Sequence, residues 1–215
     1  MEDFVLQGTE EWLEQRRGKF TASQVHRLMG VKGLGKTGET YILECVSEEF
    51  GGYMPDTNTM AMEFGRLTEP FAIAHYEKAF GVEVDKMPFL IAEWCDQAGC
   101  SPDGFVSSKN KGLEVKCPYN PVNHIVYMML TNQDELKELK SEYYWQIQMG
   151  MAVLGVPSWD FVSFSESFTG AMKMAVMNIK RNESDIALLK SRVLEAVAIK
   201  NKMVEKIKEK VKEWE

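Results

Sequence analysis

Apolar residues recur at helical spacing toward both ends of the chain and in short alternating runs through its middle. Residues 10–17 read as a short helix and 24–29 as a second, with Thr21 or Ser23 able to cap it and Gly30 to end it. A glycine- and lysine-rich loop then leads to a helix over about 39–50. Across 59–80, Met62, Leu67, Phe71, Ala74 and Phe80 give an apolar helical face, interrupted by Glu69 and Pro70. The runs 82–84, 88–93, 104–107 and 113–117 are short, apolar or alternating, and broken by Gly, Asn or Pro, which predicts strands. Helices are expected near 122–130 and 141–154, followed by strands over 160–164 and 171–179. The tail, 183–213, places Ile186, Leu189, Val193, Val197, Val204, Ile207 and Val211 on one stripe with a Lys/Glu-laced outer face. That is a long amphipathic helix, suited to packing on the core or to a subunit contact.

The chain has 215 residues, enough to bury a core, and no repeat, low-complexity tract or Pro/Ser-rich linker divides it. One domain over 1–215 is therefore expected, with a core of about 8–180 and a C-terminal helix of about 182–213. Hydrophobic content of 45% and charged content of 27% are ordinary for a soluble protein. No apolar run is long enough for a bilayer and the acidic start lacks a signal pattern, so no membrane association and a cytoplasmic location are expected. Cys45, Cys95, Cys100 and Cys117 form no Cys-x-x-Cys pair and read as reduced, buried thiols rather than a zinc cluster. The net charge of −7 argues against indiscriminate nucleic-acid binding. A local basic track remains open, because Arg16, Arg17, Lys19, Arg27, Lys32 and Lys36 follow one another without an intervening acid. A solvated face fits those residues equally well.

The chemistry concentrates in residues 101–117. Glu114 and Lys116 lie two apart on a strand and so project to one face. If 104–107 and 113–117 pair as a hairpin, Asp103 is carried beside them. Two carboxylates suit a hard cation such as Mg²⁺ or Mn²⁺, and a neighbouring lysine can orient or deprotonate an attacking water. This is chemistry for phosphodiester cleavage. A competing motif, Gly30 to Thr37, matches the G-x-x-x-x-G-K-[ST] pattern of a phosphate-binding loop. Such a loop should follow a buried strand, whereas 21–29 reads as a capped helix, so a mobile basic loop fits better and nucleotide hydrolysis becomes the weaker alternative.

Three further landmarks stand in order around the 101–117 stretch: Arg16 and Ser23 near the start, Glu69 within the 59–80 helix, and Tyr143, Gln146 and Gln148 opening the 141–154 helix. With Ser101, Pro102, Asp103 and Gly104, this order resembles the λ-exonuclease (YqaJ-like) viral recombinase family of the PD-(D/E)xK nucleases, over about residues 8–155. The resemblance implies a restriction-endonuclease-like α/β core, with a central mixed β-sheet flanked by helices. It also implies Mg²⁺-dependent 5′→3′ digestion of linear double-stranded DNA ends to leave 3′ single-stranded tails. It further implies a ring-shaped homotrimer, a phage single-strand annealing protein as partner, and a phage or prophage gene in a bacterial host. A structure-specific or restriction-type endonuclease of the same superfamily is the nearest alternative.

Residue by residue, the resemblance makes Asp103, Glu114 and the Val115 carbonyl metal ligands and Lys116 the group acting on water. It makes Glu69 a further site carboxylate working through water or a second metal, and Gln146 an active-site glutamine. Arg16 and Ser23 fall where the 5′-phosphate binds, and Met62 where an apolar side chain wedges the terminal base pair. Each also has an ordinary structural use. Asp103 suits a turn, Glu114 and Lys116 an exposed strand pair, and Glu69 a helix surface. Arg16 suits a helix C-terminus, Ser23 a cap, Gln146 and Gln148 a solvated face, and Met62 a core.

Overall fold

Residues 104–106 and 111–116 pair as the expected antiparallel hairpin, with Gly104 opposite Leu113 and Val106 opposite Lys111. The turn between them closes on Asn110 at φ 49°, a left-handed conformation that asparagine tolerates better than most residues. The computed structural model to which this hairpin belongs describes residues 8–52 and 59–214.

The helices are α1 (Glu10–Arg16), α2 (Gly35–Glu49), α3 (Met60–Phe80), α4 (Pro121–Met128), α5 (Gln133–Leu139), α6 (Ser141–Leu154) and α7 (Glu183–Lys212). The strands are β1 (Phe20–Thr21), β2 (Leu90–Ala92), β3 (Cys95–Cys100), β4 (Gly104–Val106), β5 (Lys111–Lys116), β6 (Ser158–Phe164) and β7 (Met174–Lys180). Polar caps start α1, α3, α4, α5 and α7: Thr9 accepts the Trp12 N–H, Thr59 the Met62 N–H, and Asn120, Asn132 and Asn182 serve the other three. Glycines in the left-handed conformation close α3 (Gly81, φ 61°) and α6 (Gly155, φ 70°).

The α/β core is mixed, as expected, but its strands divide into two sheets, ordered β1-β3-β2 and β4-β5-β6-β7. The break falls at Ser101 to Asp103, where Pro102 has no N–H to donate. The second sheet is antiparallel except for β5 and β6, which run parallel and are joined through α4, α5 and α6. One hydrophobic cluster, including Phe20, Leu28, Ile42, Met149, Leu189 and Val193, gathers α2, α6 and α7 on the first sheet. Ile147, Met151, Trp159 and Phe161 fill the space under α6, while Ala72 and Tyr76 of α3 pack on Leu113, Val115 and Val162 of the other face.

Two contacts fix these helices relative to β5. The Trp159 ring lies where a Cβ on Gly112 would come within 2.3 Å of it and one on Gly150 within 2.6 Å, so only glycine lets α6 approach the sheet this closely. On the opposite face, the buried Asp160 carboxylate accepts hydrogen bonds from the Tyr76 hydroxyl at 2.5 Å and Asn178 Nδ2 at 2.6 Å, and it pairs with Lys111.

Several expectations need correction. The proposed apolar face of α3 points outward: Met62, Leu67, Phe71 and Phe80 are at least half exposed, and Thr68, Ala72 and Tyr76 form the buried side. Small residues and a hydroxyl with a buried acceptor seat this helix, so counting large apolar residues picks the wrong face. Residues 82–84 form no strand, contributing only a bridge between Asp85 and Phe105 nearby. β3 and α5 had no sequence expectation behind them. Residues 24–29 hold a 3₁₀ turn, Val25–Leu28, without a side-chain cap. The long terminal helix is present, but Ile207 and Val211 lie beyond the buried stripe, and Lys200 lies within it. Among the described residues, no helix is long and apolar enough to cross a membrane.

Candidate active site

The hairpin brings Asp103, Glu114 and Lys116 together. The Asp103 backbone N–H donates to the Leu113 carbonyl at 3.2 Å, and its carboxylate accepts the Val115 N–H at 2.7 Å. Glu114 is 1% exposed and ion-pairs with Lys116, and the Gln146 side chain lies near enough on α6 to favour its charged form. Glu69 reaches the same place from α3, on the other face of the sheet, close enough for its charge to be felt by Asp103 and Glu114.

Crowding of three acids around one ammonium sets the electrostatics. Burial first, and then the Asp103 and Glu114 charges, lift the Glu69 carboxyl to about 8. Burial and Asp103 raise Glu114 to about 7 against the opposing pull of Lys116 and Gln146. Burial also raises Asp103, with Lys116 and the Val115 N–H partly offsetting it. Burial would lower Lys116, but Glu114 and Asp103 outweigh it and hold the side chain firmly as an ammonium. Shifted, mutually coupled groups of this kind mark functional sites more often than structural ones.

The donor set fits a hard divalent cation. A positive ion would relieve the cost of ionising buried carboxylates, and the available oxygens are of the type Mg²⁺ and Mn²⁺ prefer. No three His, Cys, Asp or Glu side chains are set as a metal cluster among the described residues. The fit therefore needs two carboxylates, Asp103 and Glu114, supplemented by backbone oxygen such as the Val115 carbonyl. The four cysteines are buried and unpaired.

Two residues before Asp103 in the chain, Ser101 meets a half-buried cation. Arg16 donates to Ser101 Oγ at 3.4 Å and to Ser23 Oγ at 3.3 Å, and its guanidinium sits 4.0 Å from the centroid of the Trp12 ring. The Trp12 Nε1–H donates to Ser101 at 2.9 Å, and Thr21 Oγ1 lies 3.3 Å from Ser23. Burial lowers the Arg16 pKa, the sign of a desolvated cation. Among the described residues its side-chain partners are hydroxyls and rings, with no ion-paired carboxylate. Arg16 does end α1, where its charge suits the helix C-terminus, but its guanidinium turns to Ser101 and Ser23; Ser23 caps no helix and meets Arg16 and Thr21 instead. Ser101 entered the sequence reading only as part of the Ser101-to-Gly104 motif, with no role of its own, and Trp12 had none there.

Other sequence candidates make no contact with these side chains among the bonds and ion pairs of the described residues. Met62 is 56% exposed, two turns before Glu69 on α3, so it is no core residue. Gln148 is buried and bridges the Lys180 carbonyl and the Asn182 N–H, a structural use. In the basic run, Arg17 pairs with Glu14 and Arg27 binds Glu44 through both guanidinium nitrogens, leaving Lys32 and Lys36 exposed. Gly30 to Thr37 follows a 3₁₀ turn instead of a strand, so it lacks the setting of a phosphate-binding loop.

Comparison with known proteins agrees with this geometry. The description of a YqaJ-like viral recombinase domain matches residues 11–157. The fold is similar to that of an alkaline exonuclease, LHK-Exo, from Laribacter hongkongensis, with TM-score 0.83 and 29% identity, covering 96% of this chain and 100% of that one. The same enzyme in complex with dAMP aligns with TM-score 0.82. A phage-related exonuclease from Haemophilus somnus 129PT shares the fold at TM-score 0.73 and 15% identity, over 88% of this chain and 96% of that one. No curated protein matches the sequence significantly. With a site of the expected composition and a family match over most of its length, the chain belongs to the YqaJ-like viral recombinase domain family.

Proposed function

We propose that this nuclease is a Mg²⁺-dependent 5′→3′ exonuclease that digests linear double-stranded DNA and leaves 3′ single-stranded tails for recombination. The observation that carries this reading is adjacency: the Asp103, Glu114 and Lys116 cluster adjoins a half-buried Arg16 whose side-chain partners among the described residues are hydroxyls and rings, joined to it through Ser101 and Asp103. A cleavage centre beside an anion pocket can bind a terminal phosphate and cut at a fixed distance from it.

Asp103, Glu114 and the Val115 carbonyl would hold Mg²⁺, which Mn²⁺ could replace, with Glu69 nearby. Such an ion supplies Lewis acidity, making water a better nucleophile and offsetting charge on the scissile phosphate. Lys116, held as an ammonium, orients the nucleophile and stabilises negative charge through charge-assisted hydrogen bonds. Its raised pKa supports this role over proton removal. Glu69, with a pKa near 8, can exchange a proton close to neutrality, and Gln146 keeps Glu114 oriented. Arg16, Ser23 and Ser101 would bind the 5′-phosphate, and Met62 would press against the terminal base pair.

The relative that binds dAMP supports release of 5′-mononucleotides. Assembly as a homotrimer and cooperation with a phage single-strand annealing protein in the cytoplasm of a bacterial host belong to the same proposal. An exposed apolar stripe on α3, with Met60 74%, Leu67 58% and Phe71 61% exposed, supports an assembled form. End-labelled linear duplex with Mg²⁺ or EDTA tests the activity, and light scattering tests the assembly. Mononucleotide release that requires Mg²⁺ and spares closed circles is expected; nicking of closed circles would instead favour an endonuclease.

A further inference from the structure

α6 delivers a second side chain to the cluster, one turn before Gln146. The Lys116 ammonium lies 5.0 Å from the centroid of the Tyr143 ring, within the range where a cation is attracted to an aromatic face. The ring is braced by two others. It stacks on Phe161 with centroids 5.9 Å apart and planes 28° apart, and meets Tyr127 at 6.3 Å and 71°. Phe161 is the register partner of Glu114 on the neighbouring strand, so the acid and the brace are fixed by the same pair of strands. Gln146 therefore addresses Glu114 while Tyr143 addresses Lys116, from one helix seated by Trp159 between Gly112 and Gly150.

We propose that Tyr143 is a positioning residue for Lys116, its ring face keeping the ammonium in the site when Glu114 turns from it to another cation. This rests on the nuclease reading above. Lys116 has a flexible stem, and its one ion-pair partner among the described residues is a carboxylate that the proposed function assigns to a metal. An aromatic face attracts the ammonium without occupying a carboxylate oxygen. It also leaves the three ammonium hydrogens free to bond water or phosphate oxygen. The phenolic hydroxyl has no part in this role.

The test varies the ring and reads both steady-state kinetics on linear duplex and a metal-free signal. Tyr143→Phe should keep kcat within about threefold. Tyr143→Leu should lower kcat about tenfold, equivalent to about 1.4 kcal/mol on the barrier, with KM for DNA unchanged. Because Tyr143→Leu could unfold, residue 143 is also replaced by phenylalanine carrying one, two or three ring fluorines, which weaken the face while keeping its shape. A stepwise fall in kcat along that series is expected; a flat series, or a Phe variant as slow as the Leu variant, overturns the proposal. In metal-free protein labelled with ¹³C-lysine, the Lys116 ε-carbon should show an upfield ring-current shift that Tyr143→Leu abolishes. Absence of that shift overturns the contact even if DNA is digested. A parent protein that cleaves no DNA removes the nuclease reading and the catalytic consequence together, while the shift still decides the contact.

Discussion

Under the proposed function Lys116 is the residue on which the chemistry turns, because a half-buried lysine is informative only once its neighbours are known. Flanked by Glu114 and Asp103 it stays charged, so under the proposed function its removal deletes a cation that would face the reacting phosphate. Lys116→Ala should reduce cleavage about 10²-fold to 10³-fold, a loss typical of deleting a preorganised charge-stabilising donor. Fluorescence anisotropy should show DNA binding retained; near-parental cleavage would sink the assignment. Arg16 makes a separable prediction. Arg16→Ala should raise KM for 5′-phosphorylated ends about tenfold or more and bring it near the value for 5′-hydroxyl ends. Equal KM values for the two ends in the parent would remove the phosphate-anchor role.

At the scale of elements, sequence reading succeeded where periodicity and function coincide. The hairpin carrying Asp103, Glu114 and Lys116, the helix carrying Gln146 and the long terminal helix follow from alternation, turn residues and apolar spacing. It failed where seating is done by small or polar groups. α3 packs through Ala72 and the Tyr76-to-Asp160 hydrogen bond, and β3 has a composition, from Cys95 to Cys100, with little strand preference. Ser101 and Tyr143 were illegible as site residues for a different reason: their roles lie in contacts across 85 and 27 positions of chain, to Arg16 and Lys116, which spacing cannot reveal. Lys200 is a similar case. It binds the Gly18 carbonyl at 2.6 Å, Gln97 at 3.0 Å and Glu49 at 2.8 Å, tying α7 to the segment just after Arg16. Lys200→Met should destabilise the fold by about 1–3 kcal/mol in denaturant titration, because those acceptors lose their buried donor. Gly150→Ala should cost about 1–3 kcal/mol through overpacking on Trp159. It should also lower kcat by shifting α6, and unaltered stability would contradict the close approach.

For the whole molecule, the acidic cluster ties stability to pH and, under the proposed function, to metal. The folded pKa values of Glu69 and Glu114, about 8 and about 7, lie above the ordinary glutamate value of 4.5. Groups raised in this way favour the fold below the ordinary value and cease to do so as pH rises through the folded values. The melting temperature of metal-free protein should therefore fall between about pH 5 and pH 8.5, and Glu69→Gln should flatten the decline. Mg²⁺ should restore stability more at pH 8 than at pH 5.5, because binding to these carboxylates displaces protons. A metal effect independent of pH would argue that the ion binds elsewhere.

The central claim joins a cleavage centre to a terminal-phosphate pocket, and one measurement tests both: time-resolved release of label from linear duplex bearing either a 5′-phosphate or a 5′-hydroxyl, with Mg²⁺, beside a closed-circular control. The account predicts mononucleotides released from the 5′ ends, faster with the phosphate, dependent on Mg²⁺, with circles untouched. Release from 3′ ends, equal rates on both 5′ termini, or cleavage of closed circles would contradict it.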